Sequence, residues 1–326
     1  MKVLTDPTDP SERLQASVVT IGTYDGVHYG HRRIMELVVD DARRRGVPAV
    51  VVTFDRHPLS LLRPGAEPLQ LSSSSKQLEL LEGLGIDLVY QMTFDRVRAE
   101  ESPESFMEIT LGQLLGANLV YVGEDFRFGR NRSGSFASLQ KWASERSAQA
   151  RAVPLFRVKE RLGGEHVDAE SVISSSLIRR YLEAGSIEDA NGLLCRSHST
   201  IGRVISGDHR GGGELGFPTA NLELPPGLAV PHDGIYAGVL RRLDSGERYR
   251  AAISIGTRPT YYADGERLIE SFVLDFSQDL YGVEVEVEYE AFLREQVRFS
   301  SSQELALQIH RDVDAVRRWF DAQDGR

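Results

Sequence analysis

The run Val18-Val19-Thr20-Ile21 is apolar enough for a buried strand, and it leads straight into Gly22-Thr23-Tyr24-Asp25-Gly26-Val27-His28-Tyr29-Gly30-His31. Beyond that turn Ile34, Leu37, Val38 and Ala42 recur at three-to-four spacing, one face of a helix. Strand, glycine-punctuated turn and helix in that order commit this part of the chain to an α/β arrangement. They also make an anion site, because the free N–H groups and the dipole of the helix N-terminus face the turn. Histidines there can stabilise charge building on a phosphate. No Gly-Lys-Ser/Thr follows, so the turn is not a Walker loop. Two other readings stay open. A histidine pair at this spacing could start a zinc site, which needs a third and usually a fourth ligand. His57, ending a neighbouring strand, could approach, but no Cys or Glu cluster joins it. Alternatively the histidines simply cap the helix start.

The alternation continues to about Ala184. Short β-rich runs at 49–54, 88–92 and 119–123 predict strands, and helical patterns lie between them. One helix opens at Ser102-Pro103, where serine caps and proline takes the first turn. The four serines 72–75 read as a loop and N-cap before Leu78, Leu80 and Leu81. Such alternation predicts a doubly wound parallel sheet with ligands at the carboxyl ends of its strands.

The character changes near Gly185. A helix rich in small and acidic residues, 187–194, leads to Arg196-Ser197-His198, and strands dominate beyond it. Val283, Val285 and Val287 alternate with Glu284, Glu286 and Glu288, which predicts a half-buried strand with an acidic outer face. Residues 240–246 predict a strand running into a hairpin turn. In the last helix Ser301 and Glu304 form a capping box, and Leu305, Ile309, Val313, Val316 and Phe320 line one side. The expected organisation is an α/β domain over 1–184, a linker helix over 185–198, and a small β-barrel or sandwich closed by a terminal helix over 199–326.

With 326 residues, 41% hydrophobic and 26% charged, the chain has the material for two packed cores. A net charge of −10 argues against nucleic acid as a partner, though not against a small phosphorylated substrate. The single cysteine, Cys195, excludes an internal disulfide framework and fits a reducing cytoplasm. The N-terminus is polar and no run reaches bilayer length, so no membrane partner is expected. Whether the chain forms a homo-oligomer stays open.

Two further elements carry chemistry. Ser174, Ser175 and Ser176 stand at a helix start with Arg179 one turn in. Hydroxyls, N–H groups and a guanidinium converging there suit a polyphosphate, and the same pattern also suits a plain N-cap. Farther along, a glycine-rich loop at 207–216 runs into Phe217-Pro218-Thr219-Ala220-Asn221. Thr219 and Asn221, two apart on extended chain, point to one side, so their oxygens can meet one cation such as Mg²⁺. Read on its own, that run is more simply a turn followed by a strand.

These residues carry a resemblance. The run 22–31 is similar to the Gly-x-Phe-Asp-Gly-x-His-x-Gly-His signature of nucleotidylyltransferases, and 173–179 is similar to their Ile-Ser-Ser-Thr-x-x-Arg element. With 51–58 and Val122-Gly123-Glu124-Asp125-Phe126-Arg127-Phe128-Gly129, the chain resembles the bacterial bifunctional riboflavin kinase/FMN adenylyltransferase (FAD synthetase) family over nearly its whole length. The resemblance implies a Rossmann-like nucleotidylyltransferase domain followed by a six-stranded riboflavin kinase barrel. It implies ATP as co-substrate with Mg²⁺, and riboflavin, FMN, FAD and ADP as the other partners. His28 and His31 would contact the ATP phosphates, within a site that includes Gly22, Tyr24, Asp25 and Gly30. Ser175, Ser176 and Arg179 would grip the β- and γ-phosphates. Asp125, Phe126 and Phe128 would lie near the flavin.

In the second half, Thr219 and Asn221 match Mg²⁺–ATP residues, and Glu270 matches the catalytic glutamate. The glycine loop would be a lid over the nucleotide. Tyr24 replaces the usual phenylalanine and Ser176 the usual threonine, with the chemistry kept. Arg258 replaces an asparagine at the flavin end of the kinase site, a change of charge and reach bearing on flavin specificity. Rival readings are a single working half, another phosphorylated acceptor, or a non-catalytic flavin-binding regulator.

Overall fold

Parallel strands joined by helices account for one part of the chain, and antiparallel strands closed on themselves for the other. The computed structural model describes residues 1–6, 10–205, 219–257, 267–276 and 278–325. Two compact units emerge: Met1–Pro68 with Ser74–Ser174, and Leu69–Ser73 with Ser175–Arg326.

The first unit contains β1 (Lys2–Thr5), β2 (Ser17–Ile21), β3 (Ala49–Phe54), β4 (Leu88–Met92), β5 (Ala117–Gly123), the short β6 (Arg127–Phe128) and β7 (Gly134–Ser135), and β8 (Gln149–Val153). Six of them form a parallel sheet in the order β1-β4-β3-β2-β5-β8. Alternate side chains feed two cores. Val18, Val51 and Leu119 pack with Met35, Val38 and Ala42 of helix Tyr29–Arg45. Val19 and Val120 pack on the opposite face with Met107, Leu111, Leu139 and Trp142. Both faces are covered, as a parallel sheet requires. The chain steps from β2 through β3 to β4 in one direction, whereas β5 and β8 lie on the other side of β2. A topological switch point therefore opens between the carboxyl ends of β2 and β5. Ser102 caps its helix as expected, accepting from Ser105 N at 3.1 Å with Pro103 in the first turn. Over Phe106–Leu114 that helix widens to π geometry.

The second unit contains β9 (His198–Ile205), β10 (Thr219–Glu223), β11 (Gly234–Arg242), β12 (Arg248–Thr257), β13 (Arg267–Val273) and β14 (Glu284–Arg294). They close into an antiparallel barrel in the order β10-β13-β12-β11-β14-β9, which removes the sheet edges. Ile253, Ile255, Ile269, Val287 and Tyr289 are buried in this unit. Val316 of helix Ser302–Asp324 packs with Ala237, Leu274 and Ala291.

Three details depart from the sequence reading. Helix Ser175–Glu183 groups with the second unit, because its apolar face packs with helix Ile187–Leu194 and His232 N bonds Leu182 O at 2.8 Å. Ser301 caps the terminal helix by accepting from Glu304 N, but the Glu304 carboxylate returns to Ser300 N at 3.1 Å rather than to Ser301. Glu286 is fully buried instead of lining an acidic face, because register sets Arg241 opposite it (Nε to Oε2 3.0 Å) and Ser199 donates to it at 2.6 Å.

His198 is buried, bonds the Ala229 carbonyl through Nε2 at 2.9 Å, and is held by desolvation at a pKa of about 4. Between that value and 6.5 the unfolded chain takes up a proton that the native state refuses. This contribution is therefore complete above pH 6.5 and lost as pH falls toward 4, to the extent of about 3 kcal/mol. Urea melts at pH 7.5 and 5 should show a smaller acid loss for His198→Gln than for the wild type; equal losses would remove His198 from the account.

Candidate functional site

The turn leaving β2 enters the switch point. Gly22 N extends the ladder to Val52 O at 3.1 Å, after which the backbone turns left-handed at Tyr24 (φ +49°), Gly26 (+79°) and Val27 (+43°). For tyrosine and a β-branched valine that conformation costs on the order of 1–3 kcal/mol each, so the surroundings must enforce it. The Tyr24 ring lies on Gly22, where a Cβ would come within 2.9 Å of it. Its hydroxyl is 2.6 Å from Thr20 Oγ1. Thr20 gives its own proton to the Tyr121 carbonyl on β5 at 2.8 Å, so Tyr24 is the donor to Thr20.

His28 occupies the N-cap position of helix Tyr29–Arg45, yet its side chain makes no capping hydrogen bond. Its ring stacks on His31, centroids 3.6 Å apart, and His31 meets the Tyr24 ring edge-on at 5.1 Å. Desolvation, with the neighbouring His28, pushes the His31 pKa well below the usual histidine value, so this ring is neutral at pH 7. His31 Nδ1 is buried with no hydrogen-bond partner among the described residues. A Cβ at Gly30 would sit 3.4 Å from the His28 ring, which keeps this position small. Asp25 is buried in the same turn. His57 caps its own short helix by accepting from Leu59 N at 3.2 Å. Among the described residues no group of three or more His, Cys, Asp or Glu stands ready to hold a metal. The pair stands at the N-terminus of a seventeen-residue helix (Tyr29–Arg45), a setting for anionic oxygen.

Across the switch point, the loop after β5 exposes Asp125 and half-buries Phe126, which stacks on Phe128 at 5.3 Å. Phe128 itself is a core residue, packed against Phe106 and over Gly134. Ser175 and Ser176 open helix Ser175–Glu183, and Arg179 on that helix donates from Nε to the Leu69 carbonyl at 2.5 Å. These three belong to the second compact unit, and His28 and His31 to the first.

In the barrel, register assembles the second site. Asn221 on β10 is directly opposite Glu270 on β13, and Glu270 is opposite Ser254 on β12. Their neighbours in register, Ala220, Ser271 and Ile253, are buried. The three side chains thus share the opposite face, as does Thr219 with its partner Phe272. Asn221 Oδ1 is buried with no hydrogen-bond partner among the described residues, a hard oxygen of the kind a divalent cation takes. Sequence reasoning missed Ser254 and Gln296. Gln296 Nε2 bonds Ser254 Oγ at 3.2 Å and Ile255 O at 2.9 Å, beside Glu270. Strand register, invisible to local pattern, brings Ser254 there, and Gln296 reaches it from just beyond the end of β14. Arg258 and the glycine loop 207–216 lie outside the described residues.

Comparison with known proteins gives both halves a relative. A family model described as FAD synthetase matches residues 11–163, and one described as riboflavin kinase matches 194–320. The bifunctional riboflavin kinase/FMN adenylyltransferase of Haemophilus influenzae is 35% identical over 95% of this chain and 96% of its own length. This chain belongs to that family. The Escherichia coli K12 family member is 34% identical over 94% of this chain and 93% of its own length. A solved Streptococcus pneumoniae structure, titled a macrolide-efflux protein, is 27% identical, with a TM-score of 0.84 over 98% of this chain and all of that one. No helix among the described residues is long and apolar enough to cross a membrane.

Proposed function

We propose that the family's two activities are divided between the two polar sites: the barrel phosphorylates riboflavin to FMN, and the α/β unit adenylylates FMN to FAD. ATP is the co-substrate of both steps. The carrying observation is that each family-model match encloses one site. His28 and His31 fall in the first, and Thr219, Asn221 and Glu270 in the second. Ser175, Ser176 and Arg179 fall between the matches, and their part in gripping the β- and γ-phosphates rests on the motif alone.

In the adenylyl transfer a phosphate oxygen of FMN attacks the α-phosphorus of ATP. The bond to the β-phosphate breaks, pyrophosphate leaves, and no covalent enzyme intermediate is needed. Catalysis is then positioning and charge stabilisation. A neutral His31 keeps one ring N–H to donate to phosphate oxygen, and the helix N-terminus behind it adds backbone donors. From the β5 loop Asp125 and the exposed part of Phe126 would meet the flavin, with Phe128 stacked behind Phe126.

In the kinase step Glu270 accepts the proton of the terminal ribityl hydroxyl as that oxygen attacks the γ-phosphorus and ADP leaves. Thr219 and Asn221 would hold Mg²⁺ with the nucleotide, and the ion would neutralise phosphate charge. The orphaned Asn221 Oδ1 fits that role. Arg258 is proposed at the flavin end.

Single substitutions separate the two reactions. His31→Ala should lower FMN-to-FAD turnover by roughly 10²-fold or more while FMN synthesis continues. Glu270→Ala should do the reverse, lowering riboflavin phosphorylation by roughly 10²–10⁴-fold. Chromatography of the flavins formed from riboflavin or from FMN measures each step. Equal loss of both activities in either variant would refute the division, and an unchanged kinase rate would remove Glu270 from the mechanism.

A further inference from the structure

The left-handed backbone at Tyr24 has a simple route of relief. Turning over the peptide plane between Thr23 and Tyr24 reverses the Thr23 carbonyl. It also carries φ of Tyr24 from +49° to about −130°, out of the left-handed range. Two interactions oppose that rotation directly, and one is much the shorter. Gln77, in helix Ser74–Gly83, donates from Nε2 to the Thr23 carbonyl at 2.7 Å. The Thr53 hydroxyl, near the end of β3, reaches the same oxygen at a longer 3.4 Å. A reversed carbonyl would lose both donors.

The consequence extends to the imidazoles. The Tyr24 ring is seated on Gly22 and meets His31 edge-on, while its hydroxyl is tied to Thr20. A flip alone leaves the side chains nearly in place, but without the carbonyl clamp the turn is free to relax about Tyr24, which would shift that ring and uncover His31. We propose that Gln77 is a positioning residue of the adenylyl-transfer site: by fixing the Thr23 carbonyl it holds Tyr24 left-handed and so keeps His31 packed and oriented. This rests on reading His28 and His31 as the phosphate side of that site. Gln77 acts through the turn, and the Glu270 site gives an internal control.

Three full-length proteins test it: the wild type; Gln77→Leu, which keeps bulk without a donor; and Gln77→Lys, which keeps a donor of sufficient reach. Gln77→Leu should lower kcat for FMN-to-FAD conversion about tenfold, the worth of one hydrogen bond, with KM for ATP within about twofold. Riboflavin phosphorylation, assigned to the other unit, should be unchanged, and the retained KM for ATP in FAD formation shows that the α/β unit folds. Gln77→Lys should stay within about threefold of the wild type. Independently of turnover, NMR titration of the imidazoles follows His31 in the ligand-free proteins. Its pKa should move up toward 6.5 in Gln77→Leu, as the ring regains water, and stay low in Gln77→Lys. An unchanged kcat, an unmoved His31 titration, a lysine variant no better than leucine, or equal loss of both activities would each overturn the proposal. A wild-type protein that makes no FAD would overturn the reading of the site instead, and the titration would still decide whether Gln77 holds the turn.

Discussion

The parallel pairing of β2 with both β3 and β5 is the constraint on which the first unit depends. It places the most buried strand of the sheet beside a switch point, so the chain leaving β2 must pass at once into helix Tyr29–Arg45. Three residues of the turn between them, Tyr24, Gly26 and Val27, are left-handed. Gly26 takes that conformation freely; Tyr24 and Val27 need their packing and hydrogen bonds to hold it. Stacked histidines at a helix N-terminus are the product of that geometry.

The barrel reaches its site by a different route. Antiparallel register, with side chains alternating inward and outward, lines up Asn221, Glu270 and Ser254 across three strands. No strained backbone is involved at Asn221 or Glu270. Closure of the barrel fixes the register, because a slip of one residue would turn Ala220, Ile269 and Ser271 out of the interior. One reaction is thus assigned to a strained turn, the other to a strand ladder.

Much of this was legible in the sequence. Strands at 49–54 and 88–92 have the predicted bounds, and strand β5 begins slightly before the predicted 119. The change to antiparallel strands near the middle of the chain was visible as the loss of helical period. What escaped depends on partners distant in sequence. Glu286 looked like a solvent-facing acid, since nothing near it announces that Arg241 and Ser199 will bury it. Phe128 reads as a ligand residue in its motif, and the structure gives its ring a core position under Phe106. Helix Ser175–Glu183 carries a phosphate-like motif at its start, but its apolar face decides which unit it packs in. Gln77 is an ordinary polar residue on a helix, and only the fold brings its amide to the Thr23 carbonyl.

One chain is proposed to carry out two consecutive reactions at separate sites, a phosphoryl transfer and then an adenylyl transfer. A flavin time course tests it most directly: purified protein, riboflavin, excess ATP and Mg²⁺, with products separated by chromatography. FMN should rise first and then fall as FAD accumulates. FMN that persists without FAD, or riboflavin left unconverted, would contradict the account.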